Sequence, residues 1–388
     1  MTAAVDSFFR SRWVEAPAGV ELADPAELAP GFRAAGVPCG VKGARGIDLG
    51  LLLSESPETR SAILLTRNAA AAAPVRVCRS ELDQAAVRGT VVNSGNANAA
   101  TGEPGYRDAL AMRAAAADAL ALPVRSVAVA ETGGIGKPLP IGRIEAGIAA
   151  AAKRLEPVGG RRFAEAIMTT DRAPKQCTVR TGGITLSAQA KGAGMIEPGF
   201  ATMLCFVQTD AVVEQPEAAL RAAVAGSFER ITVDGQMSTN DTVLLQATGG
   251  ARAPLPTGVL EAVLLQLALE IVADGEGATR VGRIAVAEAA TDGEAERVAR
   301  AVANSPLVKT ALYGRDPNWG RVAQAAGMAL AGQPLADLGS HEIDAEGLGS
   351  DEPEAEISIR LGRGRAGTHI YFSDLTPDYV SLNSEYRT

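Results

Sequence analysis

Apolar and polar positions along this chain follow two rhythms. Short runs rich in β-favouring residues, such as Gly89 to Val92, Ser126 to Ala130 and Met203 to Val207, have the length of buried strands. Between the first two, Tyr106 to Leu122 is Ala-rich and predicts a helix. Pro123 closes it, because proline lacks the N–H and clashes with the preceding turn. Ile141 to Leu155 predicts a second helix, with Ile141, Ile144 and Ile148 on one face. Pro216 to Arg230 and Gly258 to Ala273 predict two more, and Leu260, Leu264, Leu267 and Ile271 recur at the spacing of a buried helical face. Gln176 to Lys191 holds Thr181-Gly182-Gly183 between two strand-like runs, the signal of a hairpin. Ile357 to Phe372 predicts a terminal hairpin turning across Gly362 to Gly367. Two Gly-rich stretches, 249–258 and 332–356, read as loops. Strands alternating with helices predict an α/β fold, with sheets covered by helices. No internal repeat or low-complexity tail divides the chain.

Composition narrows the function classes. A chain of 388 residues, 47% hydrophobic, can bury a large core. Its net charge of -8 and lack of a long basic run argue against a nucleic-acid partner, which needs Lys and Arg against phosphate. No run is apolar for long enough to cross a bilayer, so no membrane partner is expected. Asp6, Arg10 and Arg12 break the apolar middle that a signal peptide requires, so a cytoplasmic location is expected. Cys39, Cys78, Cys177 and Cys205 are scattered without paired metal-ligand spacing, and read as free thiols in a reducing compartment. The acidic stretches from Asp234 and Asp274 do not follow the alternation of a calcium loop, so no metal is expected. The only histidines, His341 and His369, lie near the C-terminal end, away from other catalytic signatures. Folding can still bring one to a nucleophile, but a base other than histidine is at least as good an expectation for acyl transfer.

The segment Lys191-Gly-Ala-Gly-Met-Ile-Glu-Pro-Gly-Phe-Ala-Thr202 ends where the strand-like run from Met203 begins. A β-favouring threonine closing a Gly-rich loop is, taken alone, ordinary. It acquires chemistry if the Ala201–Thr202 bond is cut. Thr202 then carries a free α-amine, with an ordinary pKa of about 7.7–8.0, which can take the proton from the hydroxyl of the same residue. Before cleavage the hydroxyl can attack the Ala201 carbonyl in an N→O acyl shift, and water then opens the ester. Acyl transfer also needs donors aimed at the developing oxyanion. Glu131-Thr132-Gly133-Gly134 follows the run ending at Ala130 and offers unobstructed N–H groups and a hydroxyl. The alternative of a nucleotide loop lacks the Walker spacing, since Lys137 precedes Pro138. Asn93 to Asn98, Asp234 to Asp241 and Asp274 to Thr279 are three further polar, Gly-rich stretches. Each alone reads as a turn.

Together these segments resemble the glutamate N-acetyltransferase / ornithine acetyltransferase family of arginine biosynthesis. The matching blocks are VNSGNANAATG from Val92, ETGGIGKPLPIGRI from Glu131, AIMTTDRAPK from Ala166 and KGAGMIEPGFATML from Lys191. VDGQMSTNDTVLL from Val233, DGEGATR from Asp274, SPLVKTALYGRDPNWGR from Ser305 and the closing LNSEYRT continue the series in order. The resemblance implies a self-processing fold of the N-terminal-nucleophile kind. It implies cleavage between Ala201 and Thr202 into an α chain, 1–201, and a β chain, 202–388, assembled as an α2β2 heterotetramer. Thr202 is then the nucleophile, Thr132 and Gly133 the oxyanion pair. The substrate positions fall on Thr169 or Thr170, Lys191, Thr202, Glu276, Asn383 and Thr388. Lys191 suits a carboxylate and Glu276 an ammonium. The implied reaction is ping-pong transfer of acetyl from N-acetylornithine to glutamate without a cofactor, with acetyl-CoA a possible further donor. Arg172 stands where a Thr is usual in the family, and could alter substrate preference. The rival readings are an N-terminal-nucleophile aminopeptidase or amidase, in which water resolves the acyl-enzyme, and a non-catalytic binding protein on the same scaffold.

Overall fold

The computed structural model describes residues 8–43, 46–197, 203–334 and 338–385. Three sheets carry the fold among these residues. The largest has six strands in the order Glu21–Leu22, Lys175–Thr181, Ile184–Lys191, Leu204–Thr209, Thr242–Ala247 and Arg60–Leu65. Its three inner strands from Ile184, Leu204 and Thr242 are buried on both faces, and alternate residues enter different cores. Leu204, Phe206 and Leu244 join one core, while Cys205, Val207, Val243 and Leu245 join the other. This is the period of two that a covered strand imposes. The Cys205 core is closed by helix Val259–Ala273, whose Leu260, Leu264, Leu267 and Ile271 are all buried as their spacing predicts.

The other core holds a four-stranded sheet in the order Phe32–Val37, Leu49–Ser54, Gly89–Asn96, Val127–Gly134. Helix Gly160–Ile167 packs against strands of both sheets, and its Phe163 meets Phe206 edge-on with ring centroids 5.3 Å apart. Helix Gly102–Leu120 joins the parallel pair Gly89–Asn96 and Val127–Gly134, since parallel neighbours need a crossover. Helix Ile141–Ala152 packs beside it. The helix after Pro216 is shorter than expected: it ends at Ala225, and a separate 3-10 turn spans Phe228–Arg230.

The third sheet corrects one expectation. Glu354–Arg360 and Ala366–Ser373 form as strands, but they are not partners in a hairpin. Strand Val281–Ala289 lies between them, parallel to the first and antiparallel to the second. The Gly362–Gly367 connection therefore steps over an inserted strand. Helices Asp292–Ala303, Pro306–Gly314 and Trp319–Ala329 supply the core of this sheet. The stretch 332–356 is mostly loop, with a short strand at Ile343–Asp344 and a 3-10 turn at Glu346–Gly349. The α/β architecture with helix-covered sheets is as expected. No helix among the described residues is long and apolar enough to cross a membrane.

Candidate active site

A second correction opens the site. The Glu131-Thr132-Gly133-Gly134 block is not a loop after a strand ending at Ala130, because the strand continues to Gly134. It does so because Gly89–Asn96 runs parallel beside it and bulges at Gly95–Asn96. Gly133 takes φ +129 at this bulge, and a Cβ there would lie 2.4 Å from the carbonyl carbon of Gly95. Only glycine fits so close a backbone approach. Asn93 to Asn98, read as a turn, is instead the end of the neighbouring strand plus a buried brace. Asn98 Nδ2 donates to Glu131 Oε1 at 3.0 Å and to the Gly105 carbonyl at 2.9 Å. Asn240 Nδ2 donates to the Glu131 carbonyl at 2.9 Å and to the Ala97 carbonyl at 2.7 Å. Burial lifts the Glu131 carboxyl to about 8, against the opposing Asn98 hydrogen bond.

Lys191 ends a strand of the central sheet. It is paired in register with Leu204, two residues beyond Thr202. Its side chain is 1% exposed, and Nζ donates to Thr132 Oγ1 at 3.2 Å. Its ammonium thus faces the threonine hydroxyl, not solvent. Because Thr132 Oγ1 accepts that bond, its own hydrogen is left free to point at an incoming oxygen. Burial lowers the Lys191 pKa and Lys175 adds to the effect, while Asp171, Asp241 and Glu276 oppose it. Strand register therefore sets Lys191 beside the start of the Leu204–Thr209 strand, and its hydrogen bond ties Thr132 of the neighbouring sheet to that point. Ala201 and Thr202 themselves lie outside the described residues, as does Thr388.

The two flanks of the 198–202 segment are each held by an aspartate, half-buried Asp234 and buried Asp241. Asp234 accepts the Met195 N–H at 2.6 Å and the Ile196 N–H at 2.9 Å. Asp241 accepts the Met203 N–H at 3.0 Å. Burial pushes both carboxyls above their usual range, with these amide bonds acting the other way. Behind Lys191, Asp171 accepts from the Gly192 N–H and from Lys175 Nζ, both at 2.7 Å, and from the Thr169 N–H at 2.9 Å. Burial works to raise its pKa, but Lys175, Lys191 and these bonds prevail and hold it well below the usual carboxylate range. Lys175 also donates to Asp274 at 2.5 Å.

Glu276 reaches the same region from the loop after helix Val259–Ala273. Its carboxylate packs against Gly194, where a Cβ would lie 2.6 Å from Cδ, so any side chain there would push the Glu276 carboxylate from its present place. Asn383 donates to Glu276 Oε2 at 2.9 Å, from a C-terminal helix at Pro377–Glu385. Of the threonine pair, Thr169 lines a cavity of about 600 Å³ together with Gly95, while Thr170 is half-buried. Arg172 turns away onto Asp274, with Nε 2.7 Å from Oδ1, and borders a separate cavity of about 690 Å³ behind Lys175. His369 lies edge-on to Tyr371 on strand Ala366–Ser373 of the third sheet, where burial, then Arg283 and Arg230, lower its pKa to about 4. The sequence presented Asp171, Lys175, Asp234, Asp241 and Glu131 only as members of motif blocks or polar stretches, without a role of their own. All sit inside or beside the blocks quoted for the resemblance, but nothing local marks a carboxylate or ammonium as buried.

Fold and site together define an α/β acyltransferase whose buried ammonium backs a threonine hydroxyl at a strand end. The ArgJ family model matches residues 33–388. A relative from Symbiobacterium thermophilum, the arginine biosynthesis bifunctional protein ArgJ, is 44% identical, covering 92% of this chain and 97% of its own. Its namesake from Geobacter sulfurreducens is 42% identical over 92% of this chain and 99% of its own. A chain from the crystal structure of ornithine acetyltransferase complexed with ornithine, from Mycobacterium tuberculosis, is 38% identical. That match covers 46% of this chain and 98% of the other, with a TM-score of 0.43. The chain belongs to the ArgJ family, the family of arginine biosynthesis that its motifs resemble.

Proposed function

We propose that this chain carries acetyl from N-acetylornithine to glutamate by a ping-pong route through acetyl-Thr202. The observation that carries the reading is the buried Lys191–Thr132 contact, on a lysine paired in register with Leu204. Cleavage between Ala201 and Thr202 gives chains 1–201 and 202–388 and frees the α-amine that serves as base. The Thr202 hydroxyl attacks the acetyl carbonyl, and the amine takes its proton. Thr132 Oγ1–H and the Gly133 N–H receive the oxyanion, and the Lys191 ammonium adds positive charge in a site that water does not screen. Ornithine leaves with the proton, and the amine of glutamate then attacks the acyl-threonine.

Thr169, Lys191, Glu276, Asn383 and Thr388 surround the substrate in this reading, with Thr169 preferred to Thr170 because it lines the cavity beside Gly95. Pairing into an α2β2 heterotetramer is part of it. Leu307, Tyr313, Trp319 and Met328, exposed on two adjoining helices, offer apolar surface for such contact. No cofactor is needed, the acetyl donor being the substrate itself, and a cytoplasmic setting fits a biosynthetic enzyme. Acetyl-CoA as a second donor is read in the same assay.

The test uses Thr202→Ala and Thr202→Ser beside the unaltered protein. On a denaturing gel the unaltered chain gives two pieces of similar size, the smaller beginning at Thr202. The Ala variant stays intact and transfers nothing, whereas the Ser variant keeps part of both activities because the hydroxyl remains. Transfer by the Ala variant would place the nucleophile elsewhere. Release of free acetate in place of N-acetylglutamate would favour the amidase alternative.

A further inference from the structure

The cavity that Thr169 lines, about 600 Å³, carries one cation and one anion among its lining groups, Lys42 and Glu165. It opens beside the oxyanion pair, since Gly95 lines it and the Gly95 backbone is what a Cβ on Gly133 would strike. Lys42 is fixed by its backbone N–H, which donates to Asp48 Oδ2 at 2.9 Å. Its ammonium donates to the Ile47 carbonyl at 3.1 Å. An ammonium has three donors, and no other hydrogen-bond partner for it is present among the described residues. Burial brings its pKa down to about 8; Asp48 acts against this and Lys191 with it. It still carries its proton for much of the time near neutrality. Glu165 projects from helix Gly160–Ile167, and its one ionic partner among the described residues is Arg161, at 3.4 Å in an exposed pair. Such an exposed pair is weak and easily exchanged for another partner.

A ping-pong site has a particular difficulty with these two substrates. The δ-ammonium of ornithine and the γ-carboxylate of glutamate must follow one another into the same space with opposite charge. A pocket with one fixed charge would attract one and repel the other. We propose that this cavity is the side-chain pocket of the transfer site, where Lys42 receives the γ-carboxylate of glutamate and Glu165 the δ-ammonium of ornithine. The inference rests on the transfer reading above. Lys191, turned onto Thr132, is then free of the carboxylate and serves the oxyanion.

The experiment measures KM for glutamate and for N-acetylornithine in the full self-cleaved protein, in Lys42→Met and in Glu165→Gln. A charge-assisted hydrogen bond lost from substrate binding raises KM roughly tenfold to a hundredfold. Lys42→Met should raise the ratio of the glutamate KM to the N-acetylornithine KM by that factor. Glu165→Gln should lower it. Lys42→Arg should restore most of the ratio, and Lys42→Met should narrow the preference for glutamate over glutamine. Lys153→Met, an exposed lysine outside the cavity, is the control. If Lys42→Met does not self-cleave, Lys42→Gln makes the same neutral change. Ratios that stay within about twofold of the unaltered protein, or that move the same way in both variants, overturn the pocket assignment. Absence of transfer in the unaltered protein would instead sink the transfer reading, so the two failures are told apart.

Discussion

Replacing Gly133 by Ala tests the site at its most crowded point. A Cβ on residue 133 would lie 2.4 Å from Gly95 C, 2.6 Å from Asn96 N and 2.7 Å from Gly95 Cα. Carbon atoms sit comfortably at about 3.5–4.0 Å, so the deficit is about 1 Å. All three contacts are backbone, and no side chain can swing away to relieve them. The φ of +129 adds strain for any L-residue. Strain of about 1–3 kcal/mol and overpacking of about 1–3 kcal/mol give a destabilisation of roughly 2–6 kcal/mol. The strands must separate by something near the deficit, which moves Thr132 and the 133 amide together. A displacement of about 1 Å at reacting groups costs on the order of a hundredfold in rate. Gly134→Ala is the matched control: its nearest contacts would be Gly95 O and Lys137 Nζ, both 3.8 Å away. The assay follows the fraction of intact chain on denaturing gels after purification and the single-turnover rate of Thr202 acetylation by N-acetylornithine. Gly133→Ala should accumulate intact chain and acetylate about a hundredfold more slowly, with Gly134→Ala close to the unaltered protein. If Gly133→Ala cleaved and acetylated at normal rates, this bulge could not be the oxyanion site. Equal damage from Gly134→Ala would reduce the effect to loss of strand integrity.

Two further perturbations follow from the buried charges. Lys175→Met removes the ammonium bonded to Asp171 and Asp274, whose side chains are 0% and 13% exposed, and leaves Asp274 with Arg172 alone. Removing one partner of a buried pair costs about 3–5 kcal/mol, and chemical denaturation should place this variant at the lower end because Thr169 and Gly192 still donate to Asp171; a loss under about 1 kcal/mol would contradict the assigned burial. Glu131, with its carboxyl lifted to about 8, stabilises the fold in its protonated form. That contribution is complete below the ordinary carboxyl pKa and is lost as pH rises through about 8. Glu131→Gln, neutral throughout, should therefore flatten the fall in thermal stability between about pH 5 and pH 8. An unchanged slope in melting temperature against pH would refute the neutral assignment.

Local pattern determined much of the architecture. Helix Val259–Ala273 and the Lys175–Lys191 hairpin were legible because their periods and turn residues act over a few positions. The ordered motif blocks also identified the family and named Thr132, Gly133, Lys191, Glu276 and Asn383, of which Thr132 contacts Lys191 and Asn383 contacts Glu276. What failed was partner choice. Strands Glu354–Arg360 and Ala366–Ser373 are adjacent in sequence, yet Val281–Ala289 takes the place between them, because pairing is settled by the burial of whole faces. The glycines of residues 133 and 134 signalled a loop, and only the parallel neighbour Gly89–Asn96 supplies the hydrogen bonds that keep them in a strand. Asp171, Asp234, Asp241 and Lys42 follow the same logic. Their residue types read as surface charges, and only tertiary packing determines which charge loses its water and must find a partner inside the protein.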